Sequence, residues 1–160
     1  EECDRSLLPS QVSFQKEKIM TEIRKKVLFL CTGNSARSQI AEGLMKSMGG
    51  EQWEVKSAGI LPSYVHPLAI RVMDEVGIDI SKQTSKSQDQ FLKEAFDYII
   101  TLCDHAAMAC PTFPGQGNRL HWSIEDPAMA IGTMDERVAV FRKARDEIRT
   151  RIELLLKSKP

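Results

Sequence analysis

The 160-residue sequence has no net charge to speak of: 22 lysines and arginines offset 22 aspartates and glutamates. That balance excludes a broadly basic nucleic-acid binder and leaves room for a local anion site. Long apolar runs are missing too. No stretch approaches the roughly 20 residues that span a bilayer, so no membrane role is expected. The opening EECDRSLLPS has no basic segment leading into an apolar one, and it reads as neither a signal peptide nor an initiator sequence. Cysteine is scarce as well. Cys3, Cys31, Cys103 and Cys110 are too few for the disulfide framework of a small secreted domain. Together these absences predict a cytoplasmic protein whose thiols are reduced.

What is present suits one globular domain. The chain is 42% hydrophobic and 28% charged, and a domain of this size buries roughly two thirds of its unfolded surface without a covalent staple. Residues 1–24 are polar, weakly periodic and interrupted by Pro9, and are expected to form an N-terminal extension, flexible or foreign to the domain. Met20 is then an alternative start and Cys3 an incidental thiol. The domain itself is expected over residues 25–158, acting as a monomer.

Strand and helix signals alternate along it. Val27–Cys31 is a continuous apolar run, the pattern of a strand buried on both faces. Ile40, Ala41, Leu44, Met45 and Met48 recur at helical spacing up to Gly49-Gly50. Residues 53–58 alternate as a second strand. Pro67 starts a helix whose apolar face is Leu68, Val72, Met73 and Val76, closed by Gly77. Ser87 and Gln90 suggest a capping box for a short helix through Ala95, and Tyr98–Leu102 a third strand ending at Cys103. Residues 104–118 read as a loop, and Leu120-His121-Trp122 as a fourth strand. Thr133 and Glu136 suggest a second capping box for a long helix through Leu156, with Val138, Phe141, Ile148, Ile152 and Leu155 facing inward. The expected architecture is α/β: a single open four-stranded parallel sheet flanked by helices.

In such sheets ligands bind beyond the carboxyl ends of the strands. Cys31-Thr32-Gly33-Asn34-Ser35-Ala36-Arg37 stands there, between a strand and a helix. Gly33 and Asn34 tolerate left-handed backbone, which lets the N–H groups of Thr32, Gly33, Asn34, Ser35 and Ala36 turn toward one centre. The helix start adds partial positive charge, and Arg37 supplies a planar fork for a tetrahedral oxyanion. Cys31 would be stabilised there as a thiolate nucleophile, with the Ser38 hydroxyl a further donor to its sulfur. The bland alternative makes Cys31 a buried strand-end thiol and Arg37 a surface cation.

The stretch from Val27 through Gly43, VLFLCTGNSARSQIAEG, resembles the anion loop of the low-molecular-weight protein tyrosine phosphatase fold, and most closely that of the thioredoxin-coupled arsenate reductases within it. The resemblance continues through Ser57-Ala-Gly-Ile, Glu75-Val-Gly-Ile-Asp-Ile-Ser, Thr101-Leu-Cys, Cys110-Pro and Asp126-Pro127, and covers about Val27 to Leu156. It implies an enzyme in which Cys31 attacks arsenate, Asp126 protonates the departing oxygen, and Cys103 and then Cys110 complete a thiol relay. Thioredoxin is the implied external reductant, no bound cofactor or metal is implied, and the implied role is arsenic detoxification. The alternative reading is a low-molecular-weight protein tyrosine phosphatase, which shares Cys31, Arg37 and Asp126 but usually carries aromatics after the Asp-Pro pair, where this chain has Ala128-Met129-Ala130.

Other readings stay open at this stage. Cys103 and Cys110 could be ordinary buried thiols or a redox switch, and Cys103, His105, Cys110 and His121 could ligate zinc, although their spacing matches no common zinc pattern. Asp126 could simply start a turn. His66 reads as a helix-entry residue, and His121 and Trp122 as scaffold beneath the Asp126 loop. Family members that bind potassium use positions matching Asn34, Glu42 and Ser57. A further carboxylate position is Lys86 here, so the resemblance implies a lysine ammonium in place of the ion.

Overall fold

The computed structural model describes residues 24–158. The extension expected over residues 1–24, with Cys3 and Met20, therefore lies outside the described residues except for Arg24. Four parallel strands form one sheet: β1 (Lys25–Cys31), β2 (Trp53–Gly59), β3 (Tyr98–Thr101) and β4 (Asn118–His121), in spatial order β2-β1-β3-β4. Among the described residues the α-helices are α1 (Arg37–Gly49), α2 (Pro67–Asp74), α3 (Asp104–Met108) and α4 (Met134–Lys157). This is the open α/β sheet expected from the alternation of apolar patterns.

β1 is central because its residues can be buried on both faces: Val27, Leu28, Phe29 and Leu30 have no exposed surface. Its register aligns Cys31 with Gly59 on one side and Leu30 with Thr101 on the other, so three strands end together at one edge. The Leu102 N–H still donates to the Leu30 carbonyl at 2.8 Å, which carries the β1–β3 pairing past the last ladder position and brings residue 103 alongside residue 32.

Four elements differ from their sequence patterns. β4 begins at Asn118, two residues before its apolar signal, because it is an edge strand and largely exposed. Trp122 lies just beyond it and is buried, its ring 6.0 Å from that of Phe29. The segment expected as a capped helix from Ser87 to Ala95 is a single 3-10 turn, Gln88–Phe91. Its Ser87 hydroxyl accepts from the Asp89 N–H instead of from residue 90. The loop expected over residues 104–118 contains the five-residue α3, capped by the side chain of Cys103, a residue type that gives no capping signal in a sequence. Finally, Val76 lies past the end of α2 and is 36% exposed, because the helix stops at Asp74 and Gly77 turns the chain at φ +77°.

The long helix follows its pattern: the Thr133 hydroxyl accepts from the Glu136 N–H, and Val138, Phe141, Ile148, Ile152 and Leu155 are buried. α4 is tied to the end of α2 by a bidentate pair, Arg142 to Glu75 at 2.6 and 2.9 Å, with Arg145 adding bonds to the Val72 carbonyl and Glu75. The Arg142 hydrogen bonds lower the Glu75 carboxyl from its ordinary 4.5 to about 2. A carboxylate so depressed contributes stability above its unfolded pKa and loses it as pH falls through the folded one. The melting temperature of Glu75→Gln should thus lie below that of the parent at neutral pH, with the gap narrowing from pH 4.5 toward 2. A gap that stays constant over that range would show that the charge of Glu75 does not supply the difference.

Candidate active site

The loop between β1 and α1 has its carbonyls turned outward into the scaffold. Cys31 O accepts from Ile60 N–H, Thr32 O from Leu61 N–H, Gly33 O from Ser63 N–H and the Ser85 hydroxyl, and Ser35 O from His66 N–H, at 2.9–3.3 Å. Asn34 O accepts from the Gln39 side chain at 3.0 Å. Among the described residues, none of the N–H groups of Thr32, Gly33, Asn34, Ser35 and Ala36 has a protein acceptor. Ala36 begins α1 with no side-chain cap, so the helix start is likewise open. Consecutive N–H groups left unspent beside an uncapped helix terminus make a cradle for an anion.

One residue forces the turn. Asn34 alone among non-glycine residues described has positive φ, at 45°, whereas Gly33 does not need its conformational freedom. The Asn34 side chain locks the conformation: its amide donates to Ser38 Oγ (2.7 Å) and Ser57 Oγ (3.0 Å), and its carbonyl accepts from Lys86 N–H and Gln39 Nε2. Gly59 allows β2 to come close, since a Cβ there would stand 2.7 Å from both Asn34 N and Thr32 O. Nothing local in the sequence marks Gln39, Ser57, Gly59 and Ser85 as supports of this loop. Their hydrogen bonds to Asn34 and Gly33, and the close backbone approach at Gly59, reveal them.

Cys31 is 3% exposed, and its Sγ lies 2.8 Å from Ser38 Oγ. The hydroxyl can donate to a sulfur anion and in turn accepts from Asn34. Arg37 is buried at the base of the cradle, held by a 3.0 Å bond to the Ile124 carbonyl and a 3.5 Å approach to Asp126 Oδ2. A guanidinium has five donors, so this anchoring leaves others for an oxyanion. Asp126 Oδ1 accepts from Ala128 N–H at 3.0 Å, starting the 3-10 turn Pro127–Met129. Turn initiation and proximity to Arg37 are therefore both properties of this carboxylate.

The two further cysteines differ in setting. Cys103 Sγ lies 3.3 Å from Thr32 Oγ1, directly beside the cradle, and accepts from the Ala106 N–H at 3.3 Å as the cap of α3. Cys110 lies beyond α3 and receives a 3.2 Å bond from Arg119 on β4. The four candidate zinc ligands do not converge: Cys103 faces Thr32, Cys110 faces Arg119, His121 Nε2 pairs with Asp104 Oδ1 at 2.8 Å, and His105 is exposed. His121 is thus a strut between β4 and α3, and Trp122 is buried beside Phe29. His66 caps α2 through Nδ1, and burial together with Arg137 lowers its pKa, so it is a helix-entry residue.

The potassium-type positions carry their own cation. Lys86 Nζ is 3.8 Å from the buried Glu42 carboxylate and donates to Thr84 O at 2.7 Å, while Lys46 Nζ is 3.6 Å from the same Glu42 oxygen. Burial lowers the Lys86 pKa and Glu42 opposes the shift. The second Glu42 oxygen is buried without a hydrogen-bond partner among the described residues, but two ammonium groups already offset its charge. These residues do not fit a bound potassium ion. Exchanging sodium for potassium at equal ionic strength should leave the melting temperature unchanged; a rise of several degrees would contradict the lysine assignment.

Residues 26–159 match the family model described as low molecular weight phosphotyrosine protein phosphatase. The arsenate reductase of Halalkalibacterium halodurans is 52% identical over 130 residues, 81% of this chain and 94% of that protein. A solved arsenate reductase in its oxidized state superposes with a TM-score of 0.73 at 39% identity, over 83% of this chain and 97% of the other. A thioredoxin-dependent arsenate reductase of Corynebacterium glutamicum gives 0.64 at 30% identity, covering 91% of this chain and 71% of that one. Among the described residues, no helix is long and apolar enough to cross a membrane.

Proposed function

From the premise that this chain belongs to the low molecular weight phosphotyrosine protein phosphatase family, and within it to the arsenate reductases, we propose that it reduces arsenate to arsenite through Cys31, Cys103 and Cys110, with thioredoxin as the external reductant. The observation that carries the reading is Cys103 Sγ at 3.3 Å from Thr32 Oγ1, one residue from the nucleophile, in a fold where phosphoryl transfer needs no second thiol.

Arsenate is held by the loop N–H groups and Arg37. The Cys31 thiolate attacks arsenic, and Asp126 protonates an oxygen that leaves as water. The Cys103 thiolate then attacks Cys31 Sγ. A Cys31–Cys103 disulfide forms, the S–As bond breaks, and its electron pair leaves with arsenic as arsenite. Phosphorus cannot follow this route, because a phosphoryl-cysteine is hydrolysed and not reduced. Cys110 next attacks Cys103, and Cys31 departs as thiolate. The five-residue α3 stands between Cys103 and Cys110, and closing one thiol onto the other brings their Cα atoms to the roughly 4.4–6.8 Å that a disulfide accepts. Rearrangement of α3 and of the Pro- and Gly-containing segment after it would present that disulfide to thioredoxin.

The test is arsenate-dependent NADPH oxidation in the presence of thioredoxin and thioredoxin reductase, beside aryl phosphate hydrolysis by the same sample. Sustained oxidation that vanishes without thioredoxin supports the reductase; robust hydrolysis without arsenate-dependent oxidation moves the chain to the phosphatases. Slow aryl phosphate hydrolysis alone is expected from the shared cradle. Ala128-Met129-Ala130, with Met129 76% exposed, offers no aromatic grip for phosphotyrosine.

A further inference from the structure

Arg119 is an edge-strand arginine that spends its charge on a thiol. Its Nη1 donates to Cys110 Sγ at 3.2 Å and its Nη2 to the Pro111 carbonyl at 3.1 Å, so both ends of the fork grip one dipeptide. Among the described residues it has no carboxylate within ion-pair distance, unlike Arg37, Arg142, Arg145 and Arg149. We propose that Arg119 is a positioning residue for the last thiol of the relay, holding Cys110 in place and stabilising its thiolate for attack on Cys103. This assignment rests on the relay reading above.

The surroundings leave that task to one group. Burial pushes the Cys110 thiol up from its ordinary value, and the Arg119 guanidinium beside it opposes the shift. The other titratable groups nearby face elsewhere: His121 on β4 is paired with Asp104, and Asp104 and His105 on α3 are exposed. A thiol attacks a disulfide only as thiolate, so a half-buried Cys110 without a cation would react slowly near neutral pH. In the step concerned, the Cys110–Cys103 bond forms as the Cys103–Cys31 bond breaks. The electron pair leaves on Cys31, and no external oxidant is needed. The planar fork matters as much as the charge, since the Pro111 bond fixes the direction from which the second N–H meets the sulfur.

The experiment is alkylation of the reduced full chain by iodoacetamide from about pH 6 to 10, with Cys110 modification quantified by peptide mass spectrometry. Arg119→Gln should move the Cys110 profile to higher pH. Its alkylation near neutral pH should slow by about tenfold for every pH unit the profile moves. Arg119→Lys, which keeps the charge and loses the fork, should restore part of the rate. Superimposable profiles for the parent and Arg119→Gln, with both proteins melting at the same temperature, would overturn the assignment. A merely structural arginine would alter stability without moving the profile. Neither arsenate nor thioredoxin enters this readout, so its failure is distinct from failure of the reductase reading.

Discussion

Cys110→Ser should release about one arsenite per chain and then stop, because in the proposed relay the steps up to arsenite release need only Cys31 and Cys103. The variant ends as a Cys31–Cys103 disulfide whose nucleophile is consumed. Cys31 is 3% exposed and Cys103 7%, so that bond lies where a protein reductant has little access. Steady-state, thioredoxin-driven NADPH oxidation should fall to background, while a stopped arsenite assay still records a burst close to the enzyme concentration. Cys110 is half-buried at the periphery of the core, so serine there should leave the fold intact. Sustained cycling by this variant would remove Cys110 from the chemistry.

Arg37→Lys should lower kcat/KM for arsenate by about a hundredfold to a thousandfold, the range seen when a preorganised oxyanion donor is lost. A lysine can keep the positive charge but not the geometry. Arg37 is anchored by the Ile124 carbonyl and stands 3.5 Å from Asp126, which leaves the rest of its fork for the anion. An ammonium has no fork, and it cannot serve the Ile124 carbonyl and a tetrahedral oxyanion in the same planar arrangement. Aryl phosphate hydrolysis should fall by a similar factor, since both substrates share the cradle. A loss confined to one substrate would mean that Arg37 acts through specificity and not through the transition state. Thermal melting separates either outcome from unfolding.

The sheet was legible because its central strand is buried on both faces, and Val27–Leu30 can satisfy that demand in no other way. The edge strand was not legible in full: Asn118 and Arg119 face solvent, and only hydrogen bonds to β3 make them a strand. The cradle could be read from Cys31 to Ser38 because its residues are contiguous. What holds it could be read only in part. Gln39, Ser57 and Gly59 fall in stretches that the resemblance covers, which grouped Ser57 with Asn34, whereas Ser85 reaches Gly33 from elsewhere in the chain with no local pattern to announce it. α3 was hidden for a related reason, since a cysteine replaced the usual cap. The same cysteine was conspicuous as chemistry, through its place after the third strand. Arg119 carried no signal at all, because an exposed arginine on an edge strand is ordinary until its partner is seen to be a thiol.

The order in which the three thiols act can be read from disulfide mapping of the wild-type chain. Fully reduced protein is exposed to arsenate without thioredoxin, quenched by alkylation at low pH and digested. About one arsenite per chain, a Cys103–Cys110 disulfide and an alkylatable Cys31 are expected. Three intact thiols with no arsenite formed, or a stable Cys31–Cys103 disulfide beside a free Cys110, would contradict the proposed relay.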